Sequence, residues 1–124
     1  MKIEIIDEIL FGEPPVNVLF TCSLVEINIV IDLLESKGCI DFSTDMETAF
    51  GGGLKSFKIE TATIEHLIKI NEGFATVSLS RDNIRMLINY LRSFDGTDVH
   101  TFIDFDGQGL EEDANWIIWI DRSV

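Results

Sequence analysis

Apolar residues fall in short runs separated by polar turns, and the period of each run points to an element. Residues 2–11 are rich in isoleucine and read as a strand. Glu13-Pro14-Pro15 ends it, because neither proline can donate to a ladder. Val16 to Cys22 reads as a second strand. The next stretch fits two periods. Ile27, Ile29, Ile31 and Leu33 alternate with Glu26, Asn28, Val30 and Asp32, as in a strand. Leu24, Ile27, Ile31 and Leu34 also stand at helical spacing. Ser23 with Glu26 matches a capping box and Gly38 matches a helix C′ position, which favours the helix.

The chain supplies its own comparison. With Ser23 set against Ser80, Ile27 falls on Ile84, Ile31 on Ile88, Leu34 on Leu91 and Ser36 on Ser93. The second segment, Arg81 to Phe94, has a clean helical stripe of Ile84, Leu87, Ile88 and Leu91. If the segments are copies, the first is helical too. Further on, Ile40-Asp41-Phe42 recurs as Ile103-Asp104-Phe105, and Gly51-Gly52-Gly53-Leu54 as Gly107-Gln108-Gly109-Leu110. A strand follows each glycine turn, Lys55 to Thr61 and Asn115 to Asp121. Each half thus reads strand, helix, strand, strand, with Val16 and Phe74 opening the leading strands. Residues 62–70 either extend the preceding strand or form a short helix.

These elements predict an α+β fold: a mostly antiparallel sheet of about seven strands with two helices on one face. A chain of 124 residues is one domain, 1–124, with repeat halves of roughly 16–70 and 74–121 behind an N-terminal strand at 2–11. An open apolar sheet face would be a surface for a homodimer or another partner.

Composition changes the picture through charge. The net charge is −13, and it is unevenly placed. Lys37 to Arg92 is balanced, with seven acids and seven bases. Between Asp95 and Asp121 stand eight carboxylates and no Lys or Arg: Asp95, Asp98, Asp104, Asp106, Glu111, Glu112, Asp113 and Asp121. A field of one sign steers a partner of the other sign. It also repels nucleic acid and anionic membrane. The N-terminus has no apolar leader, no apolar run is long enough to span a bilayer, and Cys22 and Cys39 read as free thiols; together these predict a cytoplasmic protein.

Local motifs offer little chemistry. Asp104, Asp106 and Gly109 match the start of a calcium loop, but Gln108, Glu111 and Asn115 occupy positions that need other residues. Gly51-Gly52-Gly53 lacks the Lys-Ser/Thr of a phosphate loop and reads as a flexible connection. His100 beside Asp98 and Asp104 is a conceivable base, and Asp104 with Asp106 a conceivable carboxylate pair. No nucleophile elbow or zinc set accompanies them, so no catalytic residue, metal or cofactor is expected. Trp116 and Trp119, an odd number of residues apart on a strand, point to opposite faces. One is expected in the core. The other, ringed by carboxylates, suits a basic partner.

In size, acidity and architecture the chain resembles bacterial immunity proteins of polymorphic-toxin and contact-dependent-inhibition systems. The resemblance rests on residues 74–121, with Leu79-Ser80, a helix, His100-Thr101-Phe102-Ile103-Asp104 and Trp116-Ile117-Ile118-Trp119. It implies a non-enzymatic protein that binds a cognate, basic toxin domain. The partner-binding residues would be Asp95, Asp98, Asp104, Asp106, Glu111, Glu112, Asp113 and Trp119, with Phe105 and Leu110 as further anchors. The competing expectation is a small-ligand or metal-binding regulatory domain, or an enzyme, using Asp104, Asp106 and His100.

Overall fold

Both helices begin where a serine hydroxyl can take up an orphan N–H. The structure is a computed structural model that describes residues 1–6, 16–94, 101–103 and 114–120. In chain order its elements are β1 (Lys2–Ile6), β2 (Val16–Cys22), α1 (Leu24–Lys37), β3 (Ile40–Asp41) and β4 (Ala49–Gly51). There follow β5 (Ser56–Thr61), β6 (His66–Asn71), β7 (Phe74–Leu79), α2 (Arg81–Arg92), β8 (Thr101–Ile103) and β9 (Ala114–Ile120). Ser23 caps α1 through the full capping box with Glu26, and Gly38 closes it in the left-handed conformation at φ 68°. The Ser80 hydroxyl accepts from the Asn83 N–H at the start of α2. The helical period therefore prevails over the strand alternation in residues 24–37.

The α+β class is as expected, but the strands do not make one mostly antiparallel sheet. They divide into a five-stranded sheet, order β4-β1-β2-β9-β8, and a four-stranded sheet, order β3-β5-β7-β6. Both sheets are mixed: β1 with β4, β2 with β9, and β5 with β7 run parallel. The last two of these pairs come from an exchange between halves. The leading strand β2 pairs with β9, the closing strand of the second half. The leading strand β7 pairs with β5, the closing strand of the first. Each closing strand then carries its own half's short strand antiparallel, β8 on β9 and β3 on β5. Each leading strand carries a preceding strand antiparallel, β1 on β2 and β6 on β7. The recurring pattern is the anticipated strand-helix-strand-strand, extended by one strand at its front. Residues 62–70 resolve accordingly: β6 is a strand of its own, the counterpart of β1.

Register sharpens the match. Val18 lies opposite Trp116, and Ala75 opposite Phe57, so Trp116 and Phe57 hold equivalent places. By the same pairing Ile118 is equivalent to Ile59, and their antiparallel partners are Thr101 and Ile40. The structural counterpart of Ile40 is thus Thr101, not Ile103. The Ile-Asp-Phe correspondence is displaced by two residues, a slip that keeps the pleat face and therefore leaves the apolar pattern intact.

The core sits where both sheets meet both helices. Ile27, Val30, Ile31 and Leu34 of α1, and Ile84, Leu87, Ile88 and Leu91 of α2, are all buried in it. Phe20 and Trp116 from the first sheet meet Phe57 from the second at ring-centroid distances of 5.4 Å (Phe20–Phe57) and 6.0 Å (Trp116–Phe57). The triple glycine is an ordered close approach rather than a loose connection. Gly51 ends β4 alongside β1, and Gly52 (φ 65°) leaves only 2.1 Å between a would-be Cβ and the Ile5 carbonyl oxygen.

Candidate partner-binding face

β9 lies between β2 and β8, so successive side chains face the core and the outside in turn. Trp116, Ile118 and Ile120 point inward and are buried. Trp119 lies beside Thr21 on the outward face and is 44% exposed. The odd spacing of the two tryptophans therefore separates them as anticipated, with Trp116 in the core. Ile117, outward beside Leu19, is buried outside the main core cluster.

Asp95, Asp98, Asp104, Asp106, Glu111, Glu112 and Asp113 lie outside the described residues, as do His100, Phe105, Leu110 and the whole calcium-like loop. Their place is fixed only through the chain. Glu111-Glu112-Asp113 leads directly into β9, and Asp121 directly follows it. Among the described residues, no group of three His, Cys, Asp or Glu is placed to hold a metal ion. Among the described residues, no helix is long and apolar enough to cross a membrane.

The bases have an address as well. Lys37, Arg81, Arg85 and Arg92, four of the nine Lys and Arg in the chain, line a groove between the end of α1 and α2. Arg92 pairs with Glu35, Lys37 reaches Asp45 at 3.4 Å, and Arg85 stands 4.0 Å from Asp82. Exposed pairs of this kind contribute about 0–1 kcal/mol each. The Asp45 carboxyl is held below the ordinary carboxylate range, chiefly because the Asp41 N–H donates to it; desolvation opposes this, and the Lys37 ammonium assists.

A second polar cluster joins the start of β1 to α1. The Met1 ammonium pairs with the Glu26 carboxylate, which also accepts from the Ser23 N–H at 3.0 Å. Burial alone would raise the Glu26 carboxyl, but the ammonium and the Ser23 donors outweigh it and hold it below its ordinary value. Burial, aided by the Glu26 charge, pushes the neighbouring Cys22 thiol up to about 12. Neither Cys22 nor Cys39 is in a disulfide. An apolar cavity of about 30 Å³ lies against Cys22, Phe20, Val30 and Trp116. A space of that size can hold a water, but its lining presents no polar surface to bind one.

The surface that the sequence reading passed over is the outer side of α1. Leu24, Val25 and Ile29 are exposed there, with Leu33 half-buried beyond them. The signal was present in the chain. Residues 24–37 fit a strand as well as a helix because they are apolar on more than one helical face.

Comparison with protein-family models gives no match for this chain, and no curated protein matches its sequence.

Proposed function

We propose that this chain is an immunity-type binding protein that neutralises a cognate basic toxin domain in the cytoplasm, without cofactor or chemistry of its own. The observation that supports it most is the setting of Trp119. A large aromatic side chain is 44% exposed on a strand whose two ends run into carboxylates. Within 95–121 every charged side chain is an acid. In such an arrangement the carboxylates accelerate encounter with a cationic surface, and the indole supplies contact area that slows departure. Asp95, Asp98, Asp104, Asp106, Glu111, Glu112 and Asp113 take the steering role, and Trp119 takes the anchoring role.

The test is capture of a partner encoded beside this chain, followed by binding kinetics. Changing Asp104, Asp106, Glu111 and Glu112 together to Asn or Gln should lower the association rate by at least about tenfold at low salt and flatten its salt dependence. Trp119→Ala should act on dissociation, weakening the complex by about 30-fold, the size expected of a hot-spot aromatic. An unchanged association rate in the four-site variant removes the steering mechanism. A complex indifferent to both changes removes the face.

A further inference from the structure

The groove between the end of α1 and α2 gathers an unusual share of the cations. Three of the chain's four arginines, Arg81, Arg85 and Arg92, line it together with Lys37. Among the described residues Glu35 is the one acid in its lining, in a chain with 22 acids and nine bases. The fold does not require this. With Ser23 set against Ser80, the places of Arg81, Arg85 and Arg92 are taken in α1 by Leu24, Asn28 and Glu35. Both helices bury the same inward positions, so the arginines are an addition of the second half alone.

Neutralisation within the groove is incomplete. Arg92 reaches from α2 to Glu35 on α1, and Lys37 has Asp45 at 3.4 Å. Arg85 has only Asp82, at 4.0 Å, and both of those side chains stand mostly in solvent. Arg81 has no ion-pair partner among the described residues. Arg81 and Arg85 are four residues apart on one face of α2, where like charges repel. An anion placed between them removes that repulsion. The lining narrows the kind of anion. A guanidinium presents a planar fork that meets two phosphate oxygens at once. Leu34, Ile84 and Ile88, all buried, give the groove an apolar base. Its volume of about 730 Å³ is that of a small-molecule site. A nucleic-acid polymer is disfavoured, because a net charge of −13 repels every phosphate that extends past the groove. A molecule whose charges end inside it meets less of that repulsion.

We infer that this groove binds a small organic polyphosphate of the size of a nucleoside triphosphate. Its phosphates lie between Arg81 and Arg85, with Lys37 adding charge from the α1 side, and its apolar part rests on Leu34, Ile84 and Ile88. The site is built on the two helices, apart from Trp119 on β9. It therefore stands whether or not the chain neutralises a toxin.

The probe is magnesium-free ATP, titrated by calorimetry at low salt, with tripolyphosphate and a polyglutamate peptide as charge controls. The parent should bind ATP with a Kd below about 100 μM, and at least about tenfold more tightly than either control. Arg81→Gln with Arg85→Gln should weaken ATP at least about tenfold. The thermal midpoint of that variant without ligand should stay within a few degrees of the parent, since both side chains are exposed. Arg81→Lys with Arg85→Lys keeps the charge but not the fork, and should recover only part of the lost affinity. Trp119→Ala should bind ATP like the parent, which keeps this result separate from the partner-binding reading. Absence of ATP binding at millimolar concentration overturns the inference. So does an affinity unchanged in the glutamine variant, which places the ligand elsewhere. Equal binding of either control, or full recovery in the lysine variant, overturns it as well, because the groove would then answer to charge alone.

Discussion

Removing the Phe57 ring should unfold both sheets together. Phe57 is fully buried, and its ring meets Phe20 at 5.4 Å, Phe42 at 5.8 Å and Trp116 at 6.0 Å. Phe20 and Trp116 belong to the five-stranded sheet, Phe57 to the four-stranded one. Truncating a buried phenylalanine costs about 3–5 kcal/mol when the space cannot close. A domain of this size is held by about 5–15 kcal/mol, so the change removes a large share of its stability. At about 4 °C per kcal/mol, the thermal midpoint of Phe57→Ala should fall by about 12–20 °C. Urea titration followed by tryptophan fluorescence and far-ultraviolet dichroism should give one coincident transition, because Trp116 reports directly on the contact. Lys58→Ala, an exposed neighbour on the same strand, should stay within about 0.5 kcal/mol of the parent. The milder pair Phe57→Leu and Trp116→Phe should show a coupling of about 0.5–1.5 kcal/mol in a double-mutant cycle. A loss below about 1 kcal/mol for Phe57→Ala, or separate transitions for the two probes, would refute the shared core and with it the exchange of closing strands.

Three further outcomes follow from local geometry. Gly52→Ala should cost at least about 2 kcal/mol in urea titration, because its Cβ would meet the Ile5 carbonyl at 2.1 Å. Gly53→Ala, with the same left-handed backbone (φ 87°) but nothing within 4 Å, should cost only about 1 kcal/mol. Glu26→Gln retains the capping box but loses the charge paired with Met1, so it should cost about 0.5–1 kcal/mol at neutral pH. Because the folded Glu26 carboxyl lies below its ordinary value, that contribution is present above the ordinary carboxylate range and is lost as pH falls on through the depressed folded value; a gap between parent and variant that widens in acid contradicts the sign. Alkylation of the native protein with iodoacetamide, read by mass spectrometry, should modify Cys39 and spare Cys22, whose thiol is buried and pushed up to about 12; denaturant should expose both.

What the chain disclosed early was local chemistry. Ser23, Glu26 and Gly38 specify the ends of α1 by short-range hydrogen bonds, and Ser80 does the same for α2. The likeness of the two helices followed from residues that stay within one element. Partition into two sheets was not legible, since strand pairing joins residues such as Val18 and Trp116 that are remote in sequence. The parallel pairs β2–β9 and β5–β7 arise only once the halves exchange strands, and nothing in β5 or β9 alone states which leading strand it will meet. The Ile-Asp-Phe motif misled for a physical reason: a shift of two residues preserves the pleat face. At the candidate site, parity alone separated Trp116 from Trp119. The apolar outer side of α1 was hidden by the same ambiguity that made the segment resemble a strand.

Comparison of the two halves separates what the scaffold needs from what it merely carries. At the third residue of each helix the joint to the preceding strand is kept while its polarity is reversed. In the first half the Glu26 carboxylate accepts from the Met1 ammonium, just ahead of β1. In the second, the Asn83 amide donates to the Glu65 carboxylate at 2.5 Å, just ahead of β6. One donor and one acceptor meet at each joint, so the bond is a requirement of the fold and its direction is not. The inward residues of α1 and α2 are likewise held to apolar types in both copies. Where the copies differ in kind, the fold exerts no such constraint, and selection for something else is free to act. Two such differences stand out: Leu24 and Val25 against Arg81 and Asp82, and an acid-only closing segment at 95–121 against the balanced 37–92. The first leaves apolar side chains on the outside of α1, the second concentrates carboxylates in one stretch of sequence, and the core asks for neither.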